Sequence, residues 1–106
     1  MICRYWRGWT TRENEMIYQK LLTEKVIPGI EARQIDGLMR IEMMKRDLDD
    51  QIEFATIMWF TSVDAIKKFV GNDYEVAHVP DEAQAVLSQW DDRCAHYEIF
   101  DQRKQS

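Results

Sequence analysis

The chain has 106 residues, 45% hydrophobic and 11% aromatic, with only four Gly and two Pro, a composition that packs as one domain and excludes a disordered segment. Its net charge of −5 is spread over interspersed acids and bases, and no basic stripe with interleaved aromatics offers nucleic acid a surface. No run nears the roughly 20 apolar residues of a membrane span, MICRYWRGW lacks the apolar core of a secretory signal, and Cys3 and Cys94 are too few for a disulfide framework, so a cytoplasmic protein with reduced thiols and no membrane partner is the expectation.

Residues 2 to 9 alternate as a strand, with Ile2, Arg4, Trp6 and Gly8 on one side and Cys3, Tyr5, Arg7 and Trp9 on the other. Thr10 followed by Glu13 forms the pattern of a capping box. The helix it predicts turns Ile17, Tyr18, Leu21 and Leu22 inward and ends or kinks at Pro28-Gly29. Gly37 opens a second strand over about 38–47, and Asp47 to Asp50 make a polar hairpin turn into a third strand, Ile52 to Phe60. Thr61 or Ser62 caps a second helix carrying Val63, Ile66, Phe69 and Val70, which Gly71 stops. Asn72 with Glu75 and Asp81 with Gln84 resemble two more capping boxes, predicting a helical turn over Tyr74 to His78 and a helix through Trp90. The last strand runs from about Cys94 to Phe100. Residues 1–100 thus read as a single domain and 101–106 as a polar tail.

This order, β-α-β-β-α-β, predicts an α+β, ferredoxin-like fold with a four-stranded antiparallel sheet. Right-handed crossovers put both helices on one sheet face and leave the other open. An open face is ordinarily polar, yet the third strand is apolar on both sides, with Ile52, Phe54, Met58 and Phe60 on one and Ala55, Ile57 and Trp59 on the other. Leaving such side chains in water costs about 1.5–3 kcal/mol each. A homodimer closed sheet against sheet removes that cost. The expectation places Trp6, Phe54 and Met58 at the dimer contact and Arg7, Trp9 and Trp59 beneath the helices.

Several short motifs together resemble the antibiotic biosynthesis monooxygenase family of the dimeric α+β barrel superfamily. They are Trp6-Arg7-Gly8-Trp9-Thr10, Pro28-Gly29 with Asp36-Gly37, Glu53-Phe54 through Trp59-Phe60-Thr61-Ser62, Phe69-Val70-Gly71, and His96-Tyr97-Glu98. The resemblance implies a barrel built from two protomers, with a pocket in each between sheet and helices. It also implies an oxygenase acting on a small phenolic or quinol compound and dioxygen without metal or flavin. One branch of the superfamily degrades haem, and His78 matches that branch's histidine, but Phe69 and Arg7 stand where its tryptophan and asparagine would be. Haem is therefore a rival cofactor to none at all, and a non-enzymatic dimeric ligand-binding protein is the other alternative.

For catalysis the candidates are His78 and Arg7. A histidine with an ordinary pKa of about 6.5 can take the proton that a phenol must lose before passing an electron to dioxygen. Arg7, placed beneath the helices, would hold the resulting anion. Tyr74 shares a face with His78 if both lie on one helical turn. Tyr5, Trp9, Trp59 and Phe69 are candidates to line a flat aromatic pocket, and Asn14 to offer an amide to the substrate. Cys94 and His96, two apart on a strand, have no third partner with ligand spacing, so no metal is expected.

Overall fold

Three long strands carry the sheet in the computed structural model, which describes residues 1–106. Strand β1 (Ile2–Thr10) lies between β3 (Ile52–Phe60), its antiparallel neighbour, and a fourth position shared by two short strands. Strand β2 (Leu38–Asp47) borders β3 on the outer edge, with a bulge between Leu38 and Arg40. The fourth position is split: β4 (Gln89–Trp90) pairs with Gly8 and Trp9, and β5 (Ala95–Glu98) pairs with Ile2 to Tyr5. β5 falls within the expected last strand, while β4 is an added strand in a stretch expected to be helical, and the two are kept apart because residues 92–94 turn to the loop before them. Cys94 N–H donates to the Glu75 carbonyl, Ala77 N–H to the Asp92 carbonyl, and Val76 bridges Arg93.

The first helical stretch starts later than its capping pattern suggests. Thr10 ends β1 and gives its hydroxyl to the Val86 carbonyl at 2.6 Å, while Asn14 occupies the N-cap of α1 (Glu15–Leu21) without a side-chain cap. The chain then widens into a π-helical stretch (Leu22–Val26) and continues as α2 (Ile27–Glu31), so Pro28-Gly29 lies within the helix rather than ending it. A proline lacks the N–H of a helical turn and its ring strikes the carbonyl a turn back; the wide turn before Pro28, where Ile27 N–H reaches the Leu22 carbonyl, supplies the slack. Tyr18, Leu22, Ile27 and Ile30 face inward, whereas Ile17, expected inside, is 55% exposed.

Helix α3 (Val63–Val70) is capped by Ser62, whose hydroxyl accepts from Ala65 N–H at 3.2 Å, and stopped at Gly71. Neither of the later capping boxes forms. Residues 74–78 make a turn and then run extended, so Tyr74 and His78 do not share a helical face. Helix α4 (Asp81–Val86) follows Pro80 and ends before β4, which claims Trp90.

All helices pack on one sheet face, as the crossover rule requires. The strand alternation also holds, but the two faces are exchanged relative to expectation. Tyr18 meets Phe54 edge-on at 4.8 Å and Phe69 lies 6.3 Å from Phe60, so Phe54, Met58 and Phe60 are core beneath the helices. The register sets Arg4 beside Met58, Trp6 beside Thr56 and Gly8 beside Phe54. Arg4 and Trp6 therefore face the helices. Tyr5, Arg7, Trp9, Ile57 and Trp59 lie on the open face.

Candidate functional site

A small cavity lies between the sheet and the helices, walled by Trp6, Tyr18, Leu22, Ile27, Met58 and Phe69 among others, with Arg4, Thr56, Cys94 and His78 supplying the polar atoms. Its interior leaves about 60 Å³ for the centres of water-sized spheres, so a ring seated there extends towards the open side. A groove outside it, about 310 Å³ on the same measure, shares Val26, Ile30, His78 and Pro80 with the cavity and is bordered by Lys25, Arg33 and Glu82. The mouth is thus formed by the π-helical stretch, α2 and the extended run into α4. A wide turn at a rim is a common place for function.

Arg4 is the polar centre of the cavity. It is 3% exposed, and its Nη1 donates to the Tyr74 carbonyl and to His96 Nε2 at 3.2 Å, its Nη2 to the Val76 carbonyl at 2.6 Å. Burial lowers its pKa, partly countered by the Cys94 sulfur beside it. Burial likewise raises the Cys94 thiol and the Tyr18 phenol, keeping both protonated. His78 stands exposed on one side at the rim, its ring edge-on to Phe69 at 5.8 Å. Desolvation, then Arg33, then Arg4 push its pKa below the ordinary value. The imidazole is consequently neutral at neutral pH and free to accept a proton. The Phe69 ring receives both guanidiniums, Arg4 at 5.5 Å and Arg33 at 5.1 Å from its centroid.

Of the residues singled out from sequence, the cavity gathers His78 and Phe69. Tyr74 borders it through the carbonyl that accepts from Arg4 and through its ring, 5.1 Å from His96. Asn14 sits at the start of α1, its amide 3.5 Å from the Val86 carbonyl, outside the cavity. Arg7 is the main correction. It lies on the open face, ion-paired with Asp91 at 3.0 Å and stacked 5.1 Å from Trp9. Trp9 gives its indole N–H to Glu53, and Trp59 gives its own to Glu42 at 2.6 Å. Tyr5 is part of the same outer surface. Trp6, expected at a dimer contact, lines the cavity and donates to the Asp91 carbonyl. Cavity residues that the sequence did not single out are Arg4, Tyr18 and Thr56, while Cys94 and His96, weighed there only as a ligand pair, stand beside Arg4. One signal was present: Arg4 shares a β1 face with Ile2 and Trp6, and the register aligns that face with the most apolar side of β3.

No family model matches the chain, and no curated protein is similar to it in sequence. Solved structures are similar to it in fold. A Bacillus cereus protein provisionally named an antibiotic biosynthesis monooxygenase superposes with a TM-score of 0.67 at 12% identity, covering 98% of this chain and 97% of that one. The likeness is one of fold. It extends from β1 through β5 and supports the ferredoxin-like architecture read from the sequence, while at this identity it assigns no residue a role.

Proposed function

We propose that the protein oxidises a small phenolic or quinol compound with dioxygen in the cavity between sheet and helices, with no resident cofactor. The observation that carries this reading is a neutral imidazole at the mouth of an apolar cavity that also holds a guanidinium. His78 takes the phenolic proton, and Arg4, in the place first expected of Arg7, stabilises the anion that remains. The electron-rich ring then reduces dioxygen. For a hydroquinone the balance closes without another reductant: quinol and dioxygen give a hydroxyquinone and water, one oxygen atom entering the ring and the other leaving with two hydrogens. The provisional name of the Bacillus cereus protein is in keeping with this chemistry.

Haem suits this place less well than a single ring: Trp6, Tyr18 and Met58 wall the interior so narrowly that even one ring reaches towards the mouth, and a porphyrin spans several times that area. Oxygen-electrode assays against a panel of quinols and polyphenols test the proposal. Turnover is expected with at least one of them, falling about a hundredfold or more in His78→Ala. No consumption, or a rate indifferent to His78→Ala, overturns it. Ligand binding without oxygen uptake would instead favour a non-enzymatic binding protein.

A further inference from the structure

Two charged side chains are buried in this molecule, and they are treated differently. Glu53, 7% exposed, is fully answered: Arg46 grips both carboxylate oxygens at 3.0 Å and the Trp9 indole donates at 3.1 Å. Arg4, 3% exposed, has no carboxylate within ion-pair distance. Its partners are two backbone carbonyls, an imidazole and a thiol held protonated, all uncharged. A buried charge is tolerated when hydrogen-bonded and paired, and here the pairing is missing. The three bonds to protein acceptors use three of the five N–H donors of a guanidinium. Two remain for the Cys94 sulfur and for whatever enters the cavity that Arg4 lines.

Two further features of the same place suit an anion, and a third suits a ring. Thr56 Oγ1 is buried, lines the cavity and has no hydrogen-bond partner, so a donor stands unused beside Arg4's chamber. The mouth adds Arg33 and Lys25, offset only by Glu82, which Lys25 already holds at 2.7 Å. A chain of net charge −5 therefore presents a locally positive opening, which draws anions towards it. The walls between these polar groups are Trp6, Tyr18, Leu22, Met58 and Phe69, which suit a ring rather than a hydrated inorganic ion.

We propose that the ligand of this cavity is an aromatic acid, a ring bearing a permanent carboxylate that completes the ion pair of Arg4 and accepts from Thr56. This inference rests on the cavity being the functional site and narrows the substrate of the proposed oxidation to a hydroxylated aromatic acid. A neutral phenol leaves Arg4 unpaired until it ionises, whereas a carboxylate pairs it on arrival; in such a substrate Arg4 holds the carboxylate, and the phenolate stays beside the imidazolium that His78 becomes.

The test compares matched ligands on the wild-type protein by calorimetric titration near neutral pH: 4-hydroxybenzoate against 4-hydroxybenzamide, and benzoate against benzamide. The acids are expected to bind about tenfold or more tightly than their amides, and to weaken as salt is raised. Arg4→Met should remove the preference, bringing the acid-to-amide affinity ratio to about one. Should Arg4→Met fail to fold, Arg4→Lys, which keeps the charge and loses the planar fork, should retain a reduced preference. Equal affinity for acid and amide, or no binding of either pair, overturns the proposal and leaves Arg4 a clamp on the Tyr74 and Val76 carbonyls. Oxygen uptake is read separately, so an acid that binds without turnover defeats the oxidation and not the anion site.

Discussion

His96 accepts from Arg4 through Nε2, and since a guanidinium only donates, the imidazole proton must sit on Nδ1, which is buried without a partner. Protonating this ring would set two cations face to face. Desolvation and then Arg4 accordingly lower its pKa below 6.5, as desolvation, Arg33 and Arg4 do for His78. Both folded-state values lie under the unfolded one, so the unfolded chain binds more protons in the window below about pH 6.5. The stability these neutral rings contribute is present above that pH and is lost as pH falls through their folded pKa values. Unfolding free energy, measured by urea titration between about pH 7.5 and 5, should decline with falling pH, and His96→Gln should flatten the decline. An unchanged slope in that variant would show that the burial of His96 is not what sets it. Asp47 and Glu53, lowered by Arg12 and Arg46 respectively, lose their contributions only at more acid pH, which keeps the two effects apart.

Two glycines sit in elements with equally empty surroundings, yet substitution should move stability in opposite directions. A Cβ on Gly29 or on Gly71 would meet nothing within 4 Å. Gly29 lies inside α2, where alanine is the better helix former by about 0.5–1 kcal/mol. Gly71 closes α3 at φ +95 and ψ −172, a region nearly confined to glycine, and its N–H returns to the Lys67 carbonyl at 2.7 Å. Gly71→Ala should cost about 1–3 kcal/mol and Gly29→Ala should stabilise; urea unfolding of both decides, and a shared sign would contradict it. The stop at Gly71 was legible because glycine after an apolar helical stripe carries that meaning alone. So were the bounds of β2 and β3, set by Gly37, the Asp47–Asp50 turn and Ser62. What was not legible is which side of β1 faces the helices. Alternation divides residues into two sets, and here each set carries a tryptophan and an arginine, Arg4 with Trp6 and Arg7 with Trp9. The decision lies in β3, where Glu53 marks the outer set and Phe54, Met58 and Phe60 the inner one. The break between β4 and β5 was hidden too, because it depends on residues 92–94 pairing with Glu75 to Ala77, a contact between loops. Thus the fold could be read while the side of β1 that carries Arg7 could not be placed.

At the scale of the whole molecule, the open face asks for cover. Its centre is apolar, with Ala55, Ile57 and Cys3 flanked by Tyr5, Met44 and Tyr97, the last two 46% and 61% exposed. Its ends carry charges already satisfied within the chain: Arg7 with Asp91 and Arg46 with Glu53 at one, Arg40 with Glu42 at the other. Pre-formed pairs of this kind can be buried without leaving a lone charge, and the Trp9 and Trp59 rings beneath Arg7 and Arg40 give them a flat apolar base. We infer that a second copy of the chain covers this face, the cation of the site being on the other side and so left accessible to ligand. In a symmetric pair each residue near the axis counts twice. A stable contact of this sort buries on the order of 1,200–2,000 Å². Sedimentation velocity at micromolar concentration should show a homodimer. Ile57→Lys, at a position only half-buried in the single chain, should shift it to monomer with the far-ultraviolet circular dichroism unchanged, since two buried lysines would replace two apolar side chains each contributing about 1.5–3 kcal/mol. A monomeric wild type, or a dimer indifferent to Ile57→Lys, would send the search for a covering partner elsewhere. Because the cavity lies wholly within one chain, the acid preference at Arg4 should survive in that monomer.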